Sequence, residues 1–249
     1  MTTSLSRQLA DARRDHTTLD SLPPEMIPAD AGAAYAIQHE ILAASGARPG
    51  GWKIGAKSDS GPIQGAPLPH VDVHADGARL PRNVFKTLGL ELEVAFRFKR
   101  DFEPATTPYS ESEVLAGIGS IGATIEIVSS RYAQWPAVDK LAQLADLQNN
   151  GALVVGEFTA YHEEFPFVAP ALRFSFDGQD VVEGTPANPA GDPRRLLTWL
   201  VNHATLRGIA ITPDMVVTTG SYTGMFFPQR AGTASGRIEG LAPVTLTLY

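Results

Sequence analysis

The feature of this sequence that most limits its fold is an alternating run of apolar and acidic residues, GLELEVAF, at positions 89–96. Successive side chains of a β-strand point to opposite faces, so Glu91 and Glu93 share one face and the apolar residues share the other. Residues two apart on a strand lie roughly 6.6 Å from each other, which lets two carboxylates reach one central group. A fold that contains this strand must either expose the acidic face of the strand to water or place a cation beside that face.

Composition limits the kind of partner that such a chain can have. The 249 residues carry a net charge of −7 and include no cluster of Lys and Arg, which argues against a nucleic acid or an anionic membrane and favours a small molecule. The absence of cysteine excludes disulfides, thiolate nucleophiles and cysteine-based metal sites. The first residues lack the apolar core of a signal peptide, and no apolar run is long enough to span a membrane, so we expect a cytoplasmic protein.

Periodicity predicts an α+β fold, with helices first and mostly strands after them. Helical spacing marks residues 4–15 and 30–46, the second helix ending at Gly46, and a further helix at 191–208 with Asp192 as its N-cap. Alternation or apolar runs predict strands at 51–57, 89–96, 122–128, 151–158, 215–222 and 242–249. The Gly- and Pro-rich residues 58–81 predict a loop with at most one short strand. We expect residues 1–249 to form one domain, with residues 1–50 as its helical N-terminal part.

Two local signals refine this assignment. Ser110 and Glu113 have the spacing of a capping box before a short helix. Asp177 and Gly178 separate two alternating runs, which is a strong signal for a tight β-hairpin.

A third acidic residue, Glu126, lies on another apolar strand between Ile125 and Ile127. A carboxylate in such surroundings is costly unless it is paired or neutralised, and three of them on two strands would be explained by a shared divalent cation. Oxygen ligands without cysteine favour Mg²⁺ or Mn²⁺ over Zn²⁺. Lys53, on the apolar strand GWKIG, would balance the remaining negative charge and is a candidate for proton transfer, although a lysine at a strand edge often serves neither purpose.

Six sequence blocks resemble those of a known family. They are, in order, AYAIQ, GWKIGAKS, ELEVAF, TIEIVSSR, LADLQNNGALVVG and DMVVTTGSYTG. In this order they resemble the 2-keto-4-pentenoate hydratase and 4-oxalocrotonate decarboxylase branch of the fumarylacetoacetate hydrolase superfamily. The resemblance runs over essentially the whole chain. It implies a single catalytic domain with a mixed β-roll core behind the N-terminal helices, and a homo-oligomer.

The resemblance also implies roles for particular residues. Mg²⁺ or Mn²⁺ would be held by Glu91, Glu93 and Glu126, and the catalytic lysine of the family falls on Lys53. The substrate-binding residues that it implies are Asp146, Asn149 and Asn150 in the D-x-x-x-N block, with Gly220 and Ser221 in a late glycine turn. The implied reaction is the hydration of a 2-hydroxy-2,4-dienoate, a form of a 2-oxo-4-enoate, to a 4-hydroxy-2-oxo acid through a metal-bound enolate.

The chain departs from the family pattern at three places. Lys57 stands where threonine is common, Ser129 stands where aspartate is common, and the loop that often carries a proton-transfer acid reads GAPLPHVDVH. Asp72 in this loop is the predicted substitute for that catalytic acid. These departures leave open other activities for the same site: decarboxylation of a 4-oxalocrotonate-like diacid with Arg131 or Arg230 as a second-carboxylate clamp, hydrolysis of an acylpyruvate, or a silent relative that only binds metal and 2-oxo acid.

The stretch HVDVH offers a competing metal site. His70, Asp72 and His74 would share one face if the segment were a strand, and could then bind a transition metal. The surrounding prolines and glycine instead favour exposed polar residues in a loop.

Overall fold

The computed structural model describes residues 3–249, in which two helices precede a strand-rich remainder that contains three further helices. Its α-helices are α1 (Leu5–Arg14), α2 (Ala31–Ser45), α3 (Glu111–Ala116), α4 (Lys140–Ala145) and α5 (Arg194–Thr205). None of the helices within residues 3–249 is long and apolar enough to cross a membrane. Its strands are β1 (Pro49–Gly55), β2 (Gln64–Pro69), β3 (Val73–Ala75), β4 (Ala78–Leu80), β5 (Gly89–Phe98), β6 (Ile118–Val128), β7 (Asn150–Val155), β8 (Thr159–Ala160), β9 (Leu172–Phe176), β10 (Gln179–Asp180), β11 (Val216–Ser221), β12 (Gly232–Ile238) and β13 (Val244–Leu248).

In the described part of the chain, the larger sheet has eight strands in the order β2-β1-β11-β5-β6-β7-β3, with β8 paired to β6. Its two outer strands, β2 and β3, are joined by a single 3₁₀ turn at His70–Asp72, and β2 contacts β7. The two edges of the sheet are therefore held together and the sheet is rolled. One end of the rolled interior is filled by apolar side chains, namely Leu68, Ala95, Leu153, Val155 and Val216.

A second, five-stranded sheet in the order β10-β9-β12-β13-β4 packs on the outside of the roll. The main core lies between the two sheets and α5, and its fully buried members include Trp52, Phe96 and Phe174. The sheets approach closely at Gly236, where a Cβ atom would lie 2.3 Å from Leu92 Cδ1. This packing anchors the outward, apolar face of β5 and turns its acidic face toward the interior of the roll.

The predicted α+β class is confirmed. The helix that ends at Gly46, the capping box at Ser110 and Glu113 and the hairpin at Asp177 and Gly178 are all present. The last helix begins one residue later than predicted. Its N-cap is Pro193, while the Asp192 carboxylate accepts a hydrogen bond from the Arg194 backbone N–H at 3.0 Å.

The prediction of a loop over residues 58–81 was wrong. This region contains the strands β2, β3 and β4. β2 holds prolines at 67 and 69, and proline cannot donate to a strand partner. The strand tolerates them because β2 is hydrogen-bonded on one side only, to β1. Two prolines therefore indicated an edge strand where we had inferred a loop.

Candidate active site

Three glutamates converge inside the roll. Glu91 on β5 lies directly opposite Glu126 on β6. Glu93 lies two residues further along β5, on the same face of the strand. One carboxylate oxygen from each residue falls within 4.8 Å of the others. Like charges directly opposite on neighbouring strands destabilise a sheet, so a positively charged partner or bound protons must offset this arrangement. We call Glu91, Glu93 and Glu126 the acidic cluster.

A bulge in β11 supplies hydrogen bonds to Glu93. Between Thr218 and Ser221 this strand gains a residue relative to β5, and Gly220 takes a φ of 93° there. The bulge turns the Gly220 N–H onto Glu93 Oε2 at 2.9 Å, and the Thr218 hydroxyl donates to the same oxygen. Because glycine alone adopts this φ readily, Gly220 fixes the orientation of one carboxylate of the cluster.

Lys53 is the cation beside the cluster. Its ammonium group donates to Glu126 Oε1 and also to the backbone carbonyl of Gln148 at 3.1 Å. The carbonyl reaches Lys53 because residues 147–149 form a left-handed turn, with φ values of 45°, 53° and 58°. Left-handed backbone costs roughly 1–2 kcal/mol per non-glycine residue. This turn is therefore held by its surroundings, among them the contact with Lys53.

Asn150, at the start of β7, is oriented by an arginine of the first helix. Arg13 donates to the Asn150 side-chain oxygen at 2.9 Å and to its backbone carbonyl at 2.8 Å. Arginine has only donors, so the Oδ1 atom of Asn150 must face Arg13 and its Nδ2 group must face away from it. The Asn150 amide favours the ionised form of Glu126, although its buried Nδ2 forms no hydrogen bond within residues 3–249.

Burial raises the pKa values of all three glutamates, and repulsion by neighbouring carboxylates adds to this effect at Glu91 and Glu93. Burial, followed by the charge of Glu126, raises the pKa of Glu93 to about 7, although Thr218, Lys53 and Gly220 act in the opposite direction. Burial and the two neighbouring carboxylates raise the pKa of Glu91 well above its usual range. Burial lowers the pKa of Lys53, but the three glutamates outweigh it and the net shift is upward. These shifts favour the charged form of Lys53 and the retention of protons by the cluster.

The donor set of the cluster fits a hard divalent cation. Three carboxylates, one dication and the Lys53 ammonium have no net formal charge. Oxygens bound to one Mg²⁺ lie at ~2.1 Å from it and hence at most roughly 4.2 Å apart. The three carboxylate oxygens here lie within 4.8 Å of one another, so small side-chain movements would suffice to coordinate an ion. Carboxylate oxygens without sulfur or nitrogen ligands suit Mg²⁺ or Mn²⁺.

The raised pKa values predict an unusual pH dependence of stability in the metal-free protein. Glu93 titrates near its usual value of 4.5 when unfolded and at about 7 when folded, so the folded state holds more protons between these values. The free energy of unfolding should therefore fall as the pH rises through this window, with a slope approaching about 1.4 kcal/mol per pH unit for each retained proton.

Thermal unfolding in the presence of a chelator would measure this slope, and Mg²⁺ should reduce it because the ion replaces the protons. Other groups titrate in the same window, so the Glu93→Gln variant is the control and should show a shallower slope. A metal-free protein with the same slope in both forms would contradict the prediction.

The other candidates named from the sequence have hydrogen-bond partners outside this cluster. Asp146 is buried and accepts from Arg131, both at the guanidinium (2.6 Å) and at the backbone N–H (2.8 Å). Asn149 donates from its amide to Gln143 at 3.3 Å. Ser221 donates to the Gly224 carbonyl at 2.8 Å, so its hydroxyl is not directed at the glutamates.

Asp72 is not brought into hydrogen-bonding contact with Lys53 or the glutamates within residues 3–249. Its carboxylate forms an ion pair with Arg13 at 2.8 Å, and the guanidinium group that makes this pair is the one that also donates to Asn150. The competing site at HVDVH does not form, since residues 70–72 are a 3₁₀ turn and only His74 lies on a strand. In the described chain, the acidic cluster is the sole group of three or more potential metal ligands.

Sequence reasoning missed three contributors to this site. Thr218 lies in the block DMVVTTGSYTG beside a second threonine, Thr219. The sequence does not show which of the two hydroxyl groups donates to Glu93. The carbonyl of Gln148 is a backbone group and depends on the left-handed turn. Arg13 had the pattern of an ordinary helix-surface residue, and only the tertiary contacts of α1 bring it to Asn150.

Comparisons with known proteins agree with this arrangement of the fold. No protein-family model matches the chain. The chain is 26% identical to the 2-keto-4-pentenoate hydratase of Burkholderia vietnamiensis (strain G4 / LMG 22486) over 254 residues, covering 98% of this chain and 96% of that protein. It is also 26% identical to the protein of that name from Paraburkholderia phymatum, over 97% of this chain and 95% of the relative.

Among solved structures, 4-oxalocrotonate decarboxylase from Pseudomonas putida G7, complexed with magnesium and adipate, has a TM-score of 0.84 at 20% identity and covers 98% of this chain and 96% of its own. Fumarylpyruvate hydrolase from Pseudomonas aeruginosa, in complex with Mn²⁺ and pyruvate, has a TM-score of 0.56 at 13% identity and covers 81% of this chain and 89% of its own. The resemblance drawn from the six sequence blocks is thus confirmed, and the chain shares the fold of 4-oxalocrotonate decarboxylase.

Proposed function

We propose that this chain, a relative of the 2-keto-4-pentenoate hydratases over nearly its whole length, is a divalent-metal-dependent hydro-lyase. Its substrate would be a 2-hydroxy-2,4-dienoate, and its product a 4-hydroxy-2-oxo acid. The observation that carries the proposal is the acidic cluster, in which two glutamates face each other across neighbouring strands with Lys53 beside them. Such an arrangement is unfavourable in a protein that does not use it.

The reaction needs two proton movements and one water molecule. A proton is added to carbon 5 of the dienoate as the 2-hydroxyl loses its own, which gives the 2-oxo-3-enoate. Water then adds across the remaining double bond, with its oxygen at carbon 4 and its proton at carbon 3. A dication held by Glu91, Glu93 and Glu126 would stabilise negative charge that develops on the 2-oxo oxygen.

Lys53 is the residue proposed to move a proton at the 2-oxo end. It is the ammonium group next to the cluster, and its position is set by two acceptors, Glu126 and the Gln148 carbonyl. Such a positioned acid or base typically contributes on the order of 100- to 10,000-fold to a rate. Because its pKa is raised, it would act first as a proton donor or as an anchor for the substrate carboxylate.

Two neighbours are proposed to keep the glutamates in place during turnover. Gly220 N–H and the Thr218 hydroxyl hold one oxygen of Glu93 and leave its other oxygen free for an ion. The buried Nδ2 of Asn150, oriented by Arg13, is a donor available to the substrate carboxylate or to Glu126. Asp72 is bound to Arg13 and would act through that arginine rather than on the substrate.

Turnover of 2-hydroxypenta-2,4-dienoate by the purified protein tests the function directly. We expect loss of the dienoate absorbance and formation of a 4-hydroxy-2-oxo acid with Mg²⁺ or Mn²⁺, and neither with a chelator. Release of CO₂ from a 2-oxo diacid, measured in parallel, would favour decarboxylation as the second candidate. If metal-loaded protein changes neither substrate, the enzyme proposal is wrong and a silent binding protein is favoured.

Three further expectations stay predictions. A homo-oligomer would be measured by light scattering of the purified protein, and a cytoplasmic location by fractionation of the source cells. The proposal that residues 1–249 act as one catalytic unit would be tested by limited proteolysis, which should release no stable fragment that retains metal binding.

A further inference from the structure

The left-handed turn at residues 147–149 is bound at both ends by one arginine. Arg131 donates from Nη1 of its guanidinium group to the carbonyl of Asn150 at 2.8 Å, and from Nη2 to the carbonyl of Asp146 at 3.2 Å. These two carbonyls belong to the residues on either side of the turn. Because a guanidinium group is planar and rigid, it fixes the separation of the two ends.

The carboxylate of Asp146 orients this guanidinium group. It accepts from Arg131 Nε at 2.6 Å and from the Arg131 backbone N–H at 2.8 Å. Arg131 is 6% exposed and Asp146 is 2% exposed. A buried ion pair adds little net stability, because the cost of removing two charges from water offsets their attraction. The main contribution of this pair is therefore the geometry that it imposes on the turn.

The segment 129–131 also binds the middle of the turn. The Ser129 N–H donates to the carbonyl of Asn149 at 2.8 Å. The preceding carbonyl, that of Gln148, accepts from the Lys53 ammonium group at 3.1 Å. The segment 129–131 therefore fixes the part of the backbone that contacts Lys53.

The Gln148 carbonyl is one of two acceptors that Lys53 has within residues 3–249, and the other is Glu126. Glu126 is a proposed metal ligand and the carbonyl is not, so the contact with the carbonyl does not depend on an ion. Three consecutive left-handed residues that are not glycine are unfavourable. Without its bonds to Arg131 the turn should relax, and its carbonyl should leave Lys53.

We propose that Arg131 is a positioning residue for Lys53 and acts through Asp146 and the left-handed turn. The proposal rests on the proposed function, since it takes Lys53 as the residue that moves a proton. All three side-chain nitrogens of Arg131 donate to Asp146 or Asn150. Arg131 is therefore not available to bind a second carboxylate of a substrate, the role considered for it from the sequence.

Replacement of Arg131 by lysine tests this role. Lysine keeps the charge that pairs with Asp146, so the protein should fold, but one ammonium group cannot reproduce the planar contact with both ends of the turn. We expect kcat for 2-hydroxypenta-2,4-dienoate to fall about 10-fold, part of the on the order of 100- to 10,000-fold that a positioned acid or base contributes. KM and the Mn²⁺ affinity should stay unchanged, as measured by steady-state kinetics and calorimetry.

Asp146→Asn tests the same contact from its other partner and keeps the size of the side chain. We expect it also to lower kcat and to leave KM unchanged. If Asp146 instead bound the substrate, as the resemblance to the hydratase family implies, KM would rise. A raised KM in this variant would therefore overturn the assignment of Asp146 to the positioning of Lys53.

Two readouts separate positioning from damage to the fold. In a Lys53→Met background, Arg131→Lys should lower turnover no further, because residues that act as a unit are not additive. Amide hydrogen exchange needs no turnover. The N–H of Asn149, which donates to the Asp146 carbonyl at 2.9 Å, should exchange faster in Arg131→Lys, while the amides of β6 keep their native rates.

Arg194→Lys is the matched control. Arg194 makes a similar contact with Asp192, through Nε at 3.0 Å and Nη2 at 2.6 Å, at the start of α5. This variant should keep the native kcat and the native exchange rate at Asn149. A loss of kcat equal to that of Arg131→Lys would show that any buried or half-buried arginine has this effect, and would overturn the positioning role.

The outcomes distinguish this proposal from the proposed function. If the native protein consumes the dienoate and Arg131→Lys is fully active, or loses activity equally with and without Lys53, the positioning role is wrong and the hydro-lyase proposal stands. If the native protein consumes no dienoate, the proposed function is wrong and the positioning role with it.

Discussion

Replacement of Glu93 by glutamine is expected to abolish metal-dependent turnover while the protein stays folded. The side chain is 2% exposed and accepts from Thr218 and the Gly220 N–H. Glutamine has the same shape, and its oxygen can still accept both hydrogen bonds, but it carries no charge for an ion. We expect Mn²⁺ or Mg²⁺ affinity to fall on the order of 100-fold or more. Mutation of a residue that only hydrogen-bonds to a metal ligand typically lowers metal affinity or activity by about 10- to 100-fold, and loss of a ligand should cost at least as much.

The same substitution should not reduce the stability of the metal-free protein. It removes one of three neighbouring carboxylates that raise one another's energy, so thermal unfolding in a chelator should occur at an equal or higher temperature near neutral pH. Glu164→Gln, at an exposed position, is the control for the loss of one negative charge. A variant that unfolds, or one that binds metal as well as the native protein does, would show that Glu93 has a different role.

Replacement of Lys53 by methionine should separate metal binding from turnover. Methionine retains much of the apolar stem but no ammonium group, so turnover should fall by roughly 100- to 10,000-fold, the usual contribution of a positioned acid or base. Metal affinity should be equal or higher, because the acidic cluster loses the cation that competes with the ion. Calorimetry with Mn²⁺ and steady-state kinetics would measure the two effects on one sample.

Stability provides the control for this second variant. Without metal, Lys53→Met leaves Glu126 without its ion pair in a buried position, and this typically destabilises a protein by about 3–5 kcal/mol. Added Mn²⁺ should recover most of that loss, which distinguishes an electrostatic defect from poor packing of methionine. Normal turnover would remove Lys53 from the mechanism, and weaker metal binding would show that it supports the cluster structurally.

Much of the fold could be predicted because its signals are local. Alternation placed Glu91 and Glu93 on one face of a strand, and capping residues marked the ends of helices at Ser110 and Gly46. The convergence of Glu126 with them was inferred from the cost of an isolated buried carboxylate, which is a general physical constraint.

The details of the site depend on tertiary structure and could not be read locally. That Glu91 faces Glu126 is a matter of strand register, which pairs residues 35 positions apart. The Gly220 bulge and the left-handed turn at 147–149 are backbone conformations imposed by neighbours. The prolines of β2 were interpreted as loop residues because the sequence does not show that this strand lies at the edge of the sheet.

The contact between Arg13 and Asn150 has a consequence for how the protein is made. The ribosome completes α1 early, yet Asp72 follows Arg13 by 59 residues and Asn150 follows it by 137. Until β7 has been synthesised, this guanidinium group lacks its main partners, and the amide that it orients does not exist. The first helix therefore gains its contact with Asn150 only late in biosynthesis, and an affinity tag fused close to this helix lies near the proposed active site.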